Sequence, residues 1–377
     1  MATAYTPGLT ISADTVVHKT RRLPIRGEVL ISVNEPVEPD TIVARAELPG
    51  PITTVRLSDQ LGVGANDLDE YMTKASGEPI EKGELLAKRQ GFIKWFTTQV
   101  DAPVSGTIEF ISNVTGNVGI RHQPTPVEVR SYLKGTATDL LEGEGATIET
   151  RGAMIQGIFG VGGEAHGQLA IIAKSPDEEV PPDRLSSSHT GKVVVCGALA
   201  TYELLNAARR IGVIGLVAGG IVDAELKQLL GYDIGVAITG HEDIGLTVIV
   251  TEGFGALPMA QATFELLQSL EGRLACISGA TQIRAGVIRP EVIVPRPELT
   301  GHTKPARSKV ESGLLEIGTP IRIIREPNFG RLATVATLPP ELQEVEAGAK
   351  VRVLEAELDN GKFVTVPRAN VEIVETR

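Results

Sequence analysis

"GKVVVCGALATYELLNAARRIGVIGLVAGG", Gly191–Gly220, decides how the middle of the chain folds. It opens on an unbroken apolar run, "KVVVC". A strand without alternation has both faces covered. In "TYELLNAARRIG" the residues Leu204, Leu205, Ala208 and Ile211 recur at helical spacing, and Gly212 stops the helix. "VIGLVAGG" is a second buried strand. Strand, helix and strand in this order predict an α/β unit with a largely parallel sheet.

Further along, Asp223 stands where it can cap the short helix "AELKQLLG". "DIGVAITG", "LTVIVTEG" and "RLACISG" read as strands. "PMAQATFELLQSLEG" reads as a helix with Pro258 in its opening turn and Phe264, Leu267 and Leu270 on its buried side. The unit spans 189–295. Parallel sheets present their loops to ligands at the C-terminal ends of the strands. On this reading Thr239, His241, Glu242, Asp243, Thr251 and Glu252 gather at one end as ligand-binding candidates. No nucleophile elbow accompanies them. No residue is read as catalytic or as a metal ligand, and no cofactor is expected. Arg284 and Arg289 follow at the edge of the unit, where holding it against the β-modules is preferred to anion binding.

Toward the N-terminus the pattern changes. Short β-type runs are punctuated by glycine and proline, with strands expected at Glu28–Val33 and Thr41–Glu47. In "GTIEFI" the alternation puts Ile108 and Phe110 on one face. Gly77, Ile80, Gly83 and Leu86, followed by Ala102, Pro103, Gly106 and Ile108, resemble the barrel-sandwich fold of biotinyl and lipoyl domains. Val33, Val37 and Val43 are similar to a related strand–turn–strand piece. The resemblance implies a flattened β-barrel over 20–125. It also raises Lys94 as a cofactor carrier, but no methionine flanks that lysine, and Ile93 and Trp95 are its neighbours.

"GFIKWF", Gly91–Phe96, holds the only tryptophan of the chain. Consecutive large apolar residues cannot all face inward from one strand. Phe92, Ile93, Trp95 and Phe96 are therefore interface candidates for a protein partner or a membrane surface, with packing against another domain as the plainer alternative.

Residues 126–188 continue as a β-rich extension. It includes "RGAMIQGIFGVGGEAHG", with six glycines from Gly152 to Gly167. No Walker lysine or dinucleotide fingerprint is present, so tight turns between closely approaching strands are preferred to an anion cradle.

After a polar linker at 296–313, residues 314–377 read as short strands with a "DNG" hairpin turn at Asp359–Gly361. Gly318, Ile321, Ile323, the "NFG" of Asn328–Gly330, Val335 and the ending "GKFVTVPRANVEIV" resemble a KOW module, the SH3-like barrel of NusG C-terminal domains. Ala333 stands where that family commonly has glycine. The resemblance implies docking of protein or RNA, with Arg322, Arg325, Asn328, Phe329, Arg331 and Arg368 as surface candidates. Eight Lys plus Arg stand against eleven Asp plus Glu from Glu311 to Arg377, which disfavours loose phosphate binding.

The whole chain has 377 residues and a net charge of -11, which points the same way. Aromatics are only 4%, so the cores rest on Val, Ile, Leu and Ala. Cys196 and Cys276 lie in apolar runs and are expected as free thiols in a reducing compartment. A start without a basic-then-apolar pattern, and no run of about 18 apolar residues, lead to a cytoplasmic expectation.

The fold expected is multidomain α+β: a β-rich barrel-sandwich-like half, a central α/β unit and a C-terminal SH3-like barrel. The function expected is a non-catalytic scaffold that forms a homo-oligomer or docks protein partners, with peripheral membrane contact left open. Two alternatives stand beside it. One is a nucleic-acid or transcription/translation-associated factor acting through the KOW barrel. The other is a ligand-binding or enzymatic unit around His241.

Overall fold

The computed structural model describes residues 9–90, 97–232, 240, 242, 244–282, 288–299, 315–323, 328, 331–344, 350–358 and 360–373. The architecture is multidomain α+β, with β-rich N-terminal sheets, a central sheet containing parallel strands, and a C-terminal curled antiparallel half-barrel.

The central unit begins on β1 (Gly145–Gln156) and β2 (Phe159–Val161), which run on from each other. Then come β3 (Glu164–Ile171), β4 (Lys192–Val195), α1 (Tyr202–Ile211), β5 (Gly215–Ile221), α2 (Asp223–Leu230), β6 (Thr247–Phe254), α3 (Gln261–Ser269), β7 (Leu274–Ser278) and β8 (Glu291–Pro295). Strands β3, β4, β5 and β6 are parallel neighbours in that order. Strands β7 and β8 extend the sheet antiparallel on the far side of β3. The parallel expectation therefore holds for four strands, within a mixed sheet. Every residue of β5 and β8 is buried, as unalternating apolar strands require.

The sheet closes on itself. Strand β1 pairs with β8, and β2 pairs with β6. At the join, Gly157 N–H donates to Pro290 O at 2.8 Å on one edge, and Ile158 N–H donates to Val250 O at 2.9 Å on the other. The β1–β2 run is thus the stave that turns an open sheet into a ring, removing two free edges. A Cβ on Gly157 would lie 2.7 Å from Val250 O and 2.9 Å from Ile249 Cγ2, so only glycine fits without displacement. This bears out the close-approach reading of the glycine-rich stretch. The ring core is aliphatic, with Phe159 against Phe254 at a centroid distance of 5.0 Å.

Thr201 caps α1, accepting from Leu204 N–H, and Gly212 ends it at φ 83°. Two local expectations are corrected. Asp223 is the first residue of α2, so the cap position falls to Val222, whose side chain makes no cap bond. Pro258 precedes α3, which starts at Gln261.

The N-terminal half is nested. Strands Ile42–Leu48 and Thr125–Arg130 pair with each other, and Leu48 faces Thr125. Between them the chain leaves to build a second unit over residues 52–121, with its own core around Leu57, Leu68, Leu86, Ile108 and Ile120. The outer unit places Val37, Val43, Leu133, Ala137 and Ile148 in one core, so it runs across the expected division at 125. The long strand Ile11–Arg22 pairs along β1. Strand β1 therefore serves the outer N-terminal unit with its first half and the ring with its second.

Two strand expectations change here. The first strand is only Glu28–Val29, because the chain turns through Asn34 at φ 66°. Ile108 is buried but Phe110 is exposed, because a register shift at Gly119/Ile120 breaks the alternation.

The C-terminal part forms β9 (Pro320–Ile323), β10 (Leu332–Thr337), β11 (Leu342–Glu344), β12 (Lys350–Leu358), β13 (Phe363–Pro367) and β14 (Val371–Ile373), all antiparallel. Ile321, Ile323, Val335 and Leu354 fill its core. Among the described residues no helix is long and apolar enough to cross a membrane.

Candidate functional site

Ile321, Arg322 and Ile323 of β9 are all buried. The isoleucines face the half-barrel core, so the opposite face of the strand, where Arg322 lies, is covered by something else. What covers it is the ring. Arg322 Nη2 reaches Glu252 Oε2 of β6 at 2.9 Å, and Arg322 Nη1 reaches Glu372 Oε1 of β14 at 2.8 Å. Arg322 and Glu372 face each other in the ladder. Arg289, just before β8, adds Nη2 to Glu372 Oε2 at 3.3 Å. The other oxygen of Glu252 accepts Ala260 N–H at 3.0 Å. Two guanidinium groups thus alternate with two carboxylates, and the two inner members, Arg322 and Glu372, are only 3% and 2% exposed. Charges so far from water hold the geometry that pairs them, because separating them leaves each uncompensated.

A second polar junction ties the N-terminal unit to the ring. Buried Glu291 of β8 takes Lys19 Nζ at 2.6 Å and the Tyr132 hydroxyl at 3.3 Å. Arg21 grips Glu164 of β3 through two bonds of 2.7 and 2.6 Å, and its guanidinium lies 5.5 Å from the Tyr132 ring centroid. His166 Nε2 sits 3.1 Å from Asp40. Tyr132 adopts φ 67°, a left-handed conformation that costs a bulky residue energy. Burial, with Glu291 alongside, pushes its phenol well above the ordinary range, so it stays a proton donor. These groups include acid–base types, but each is held by a counter-charge or a hydrogen bond. The arrangement fixes position. Its members are spread from residue 19 to 291, and no local motif links them. Only the alternation of Lys19 and Arg21 on one strand hints that they share a face.

Three of the six sequence candidates around His241 are described. Thr239, His241 and Asp243 lie outside the described residues. Glu242 precedes β6 and accepts from Gly162 N–H at 3.0 Å and Gly240 N–H at 2.7 Å. Thr251 and Glu252 sit toward the other end of the same strand. Thr251 donates to Ala218 O, and Glu252 is committed to the half-barrel. The described members therefore do not gather at one end, because β6 runs between them.

Phe92, Ile93, Lys94, Trp95 and Phe96 lie outside the described residues, as do Arg284, Arg325 and Phe329. Arg289 pairs with Glu372 of the C-terminal half-barrel rather than with the N-terminal β-modules. Arg322 is not a surface residue, because docking on the ring covers it. Arg368 donates to Val353 O at 3.0 Å and Pro339 O at 2.8 Å, so it braces the half-barrel from within. Arg331 N–H donates to Asn328 O at 3.2 Å, closing a turn. Ala333 is in extended backbone without positive φ.

Among the described residues no three His, Cys, Asp or Glu side chains converge as a metal set. Cys196 and Cys276 are free and buried. No family model matches the chain, and neither a curated protein nor a solved structure matches it.

Proposed function

We propose that the chain is a scaffold that assembles with copies of itself through an arm on its inserted unit. The observation that carries this reading is the hairpin of Leu85–Gln90 and Thr97–Asp101. At its base Leu86 and Ala87 are buried in the core of the insert. Farther out Lys88, Gln90, Thr97, Thr98 and Gln99 are exposed, and the last paired residues are Gln90 and Thr97. The six residues between them are Gly-Phe-Ile-Lys-Trp-Phe. Aromatic anchors at the end of a polar arm suit capture by another surface. The buried ion pairs at both junctions support the reading, since they make a firm frame for such an arm. The likeness to a KOW module belongs here as a protein-docking surface, and the use of Arg322 and Arg368 inside the molecule favours protein over nucleic acid. The likeness of the insert to biotinyl and lipoyl domains is taken for fold alone.

Light scattering behind size exclusion tests the proposal. A native particle heavier than the 40.0 kDa chain is expected. Trp95→Ala is expected to weaken association by about tenfold or more, in line with a hot-spot loss of roughly 1.4 kcal/mol or above, with the melting temperature nearly unchanged. A monomer at all concentrations overturns the proposal, as does an unchanged oligomer with a large loss of melting temperature.

A further inference from the structure

The same inserted unit carries a groove of about 600 Å³. Met72, Phe110 and Ile111 supply its apolar lining, and Asp69, Glu78 and Glu109 supply acid against one cation, Lys74, with Glu109 already paired to Arg121 at 2.7 Å. It opens beside the strand Gly106–Ile111, whose outer edge pairs with Pro79 and Ile80 and is bonded further along by Gly77 and Glu78 at Ile108 and by the Ser76 hydroxyl at Glu109 O. Phe110 is 38% exposed, although its ring lies across Gly119, and nearby Val114 is 90% exposed. An apolar lining beside Asp69 and Glu78, with acid in excess of base, fits a segment that is apolar and basic.

The chain contains such a segment. From Leu85 to Val100 there are three basic residues, Lys88, Arg89 and Lys94, and no acid. This is a local exception in a molecule of net charge -11, where copies otherwise repel. Phe92, Ile93, Trp95 and Phe96 lie within it. We infer that the groove is the acceptor for the Gly91–Phe96 segment of a second copy, so that copies join arm to groove. This rests on the self-assembly reading and names the other half of its contact. Unlike surfaces in contact build rings or filaments, unless two copies exchange arms reciprocally.

The test uses the full chain and light scattering on five samples: wild type, Trp95→Ala/Phe96→Ala, Phe110→Ser, Asp69→Lys, and an equimolar mixture of the arm variant with Asp69→Lys. Circular dichroism and melting confirm folding, and Asp69→Lys covers the case in which Phe110→Ser unfolds the strand. Arm and groove variants are each expected to associate at least tenfold more weakly than wild type. The mixture is expected to recover a two-chain species and nothing larger, because each such pair keeps one intact arm and one intact groove. A wild-type oligomer that groove variants leave unchanged overturns the inference and leaves self-assembly standing on another acceptor. Groove variants that dissociate without recovery in the mixture also overturn it. A monomeric wild type overturns both. So does a monomer whose arm binds anionic phospholipid vesicles, which assigns the arm to a membrane.

Discussion

Arg322 is the side chain on which the C-terminal half-barrel is fastened. It touches carboxylates from both bodies, Glu252 of the ring and Glu372 of its own barrel. Arg322→Ala leaves Glu252 without its guanidinium and Glu372 with only Arg289 at 3.3 Å where little water reaches, and is expected to cost about 3 kcal/mol in urea unfolding. Combining it with Glu252→Gln is expected to cost less than the sum of the single changes, since the second removes a charge the first left unpaired. Additivity within about 0.5 kcal/mol would mean the two do not interact. The cysteines make a separate residue-scale case. Burial pushes the Cys276 thiol up to about 12 and the Cys196 thiol higher still. At pH 8 the Cys276 thiolate fraction is therefore on the order of 10⁻⁴. Neither thiol is expected to react with an aromatic disulfide reagent over minutes in the native protein, and both should react in denaturant. Rapid native labelling would show that the ring opens.

At the scale of elements, ring closure depends on the passage from β1 to β2. Gly157→Val pushes a branched side chain against Val250 O and Pro290, and is expected to cost about 1–3 kcal/mol of stability. Melting curves check this, and an unchanged midpoint would mean the ring tolerates a splayed join. This closure also marks where sequence reading stops. Helix α1 was legible because its period and stop glycine are local. Ile321 and Ile323 were legible because alternation is local as well. Nothing within a dozen residues of Gly157 announces that β8 and β6 will flank it, since its partners lie more than 90 positions away. The strand Ile11–Arg22 escaped notice for the same reason: "ISADTVVHKTRR" has weak alternation and becomes a strand by pairing with β1. The role of Glu252 is not legible locally, because its partner Arg322 sits 70 positions on and belongs to another body.

For the whole molecule, several partly exposed ion pairs share one bias in their carboxylates. The Arg151 guanidinium holds Asp14 below the usual carboxylate range, Lys74 does so for Glu84, and Arg121 for Glu109. A carboxylate whose folded pKa is depressed contributes stability above its unfolded value, and loses it as pH falls through the folded one. The melting temperature is therefore expected to vary little from pH 8 to 5 on account of these groups, and to fall below about pH 4. The decline should be shallower in 0.5 M salt, roughly the range where screening is strong, because these pairs face water. A midpoint that rises on acidification would refute this. Because β1 lies in two cores, the outer N-terminal unit and the ring are expected to melt in one calorimetric transition, and a split endotherm would separate them.

The way the insert is hung has a mechanical consequence. Its two ends leave side by side, where Leu48 faces Thr125, and the ladder beneath runs to Ile42 and Arg130. Tension applied at the arm is delivered to the open end of that ladder. Rungs loaded in this way peel one after another, each bearing the full load alone. Strand β1, bonded along both edges, would have to shear many rungs at once. A pull carried to the insert's two ends is therefore expected to open its root before the ring.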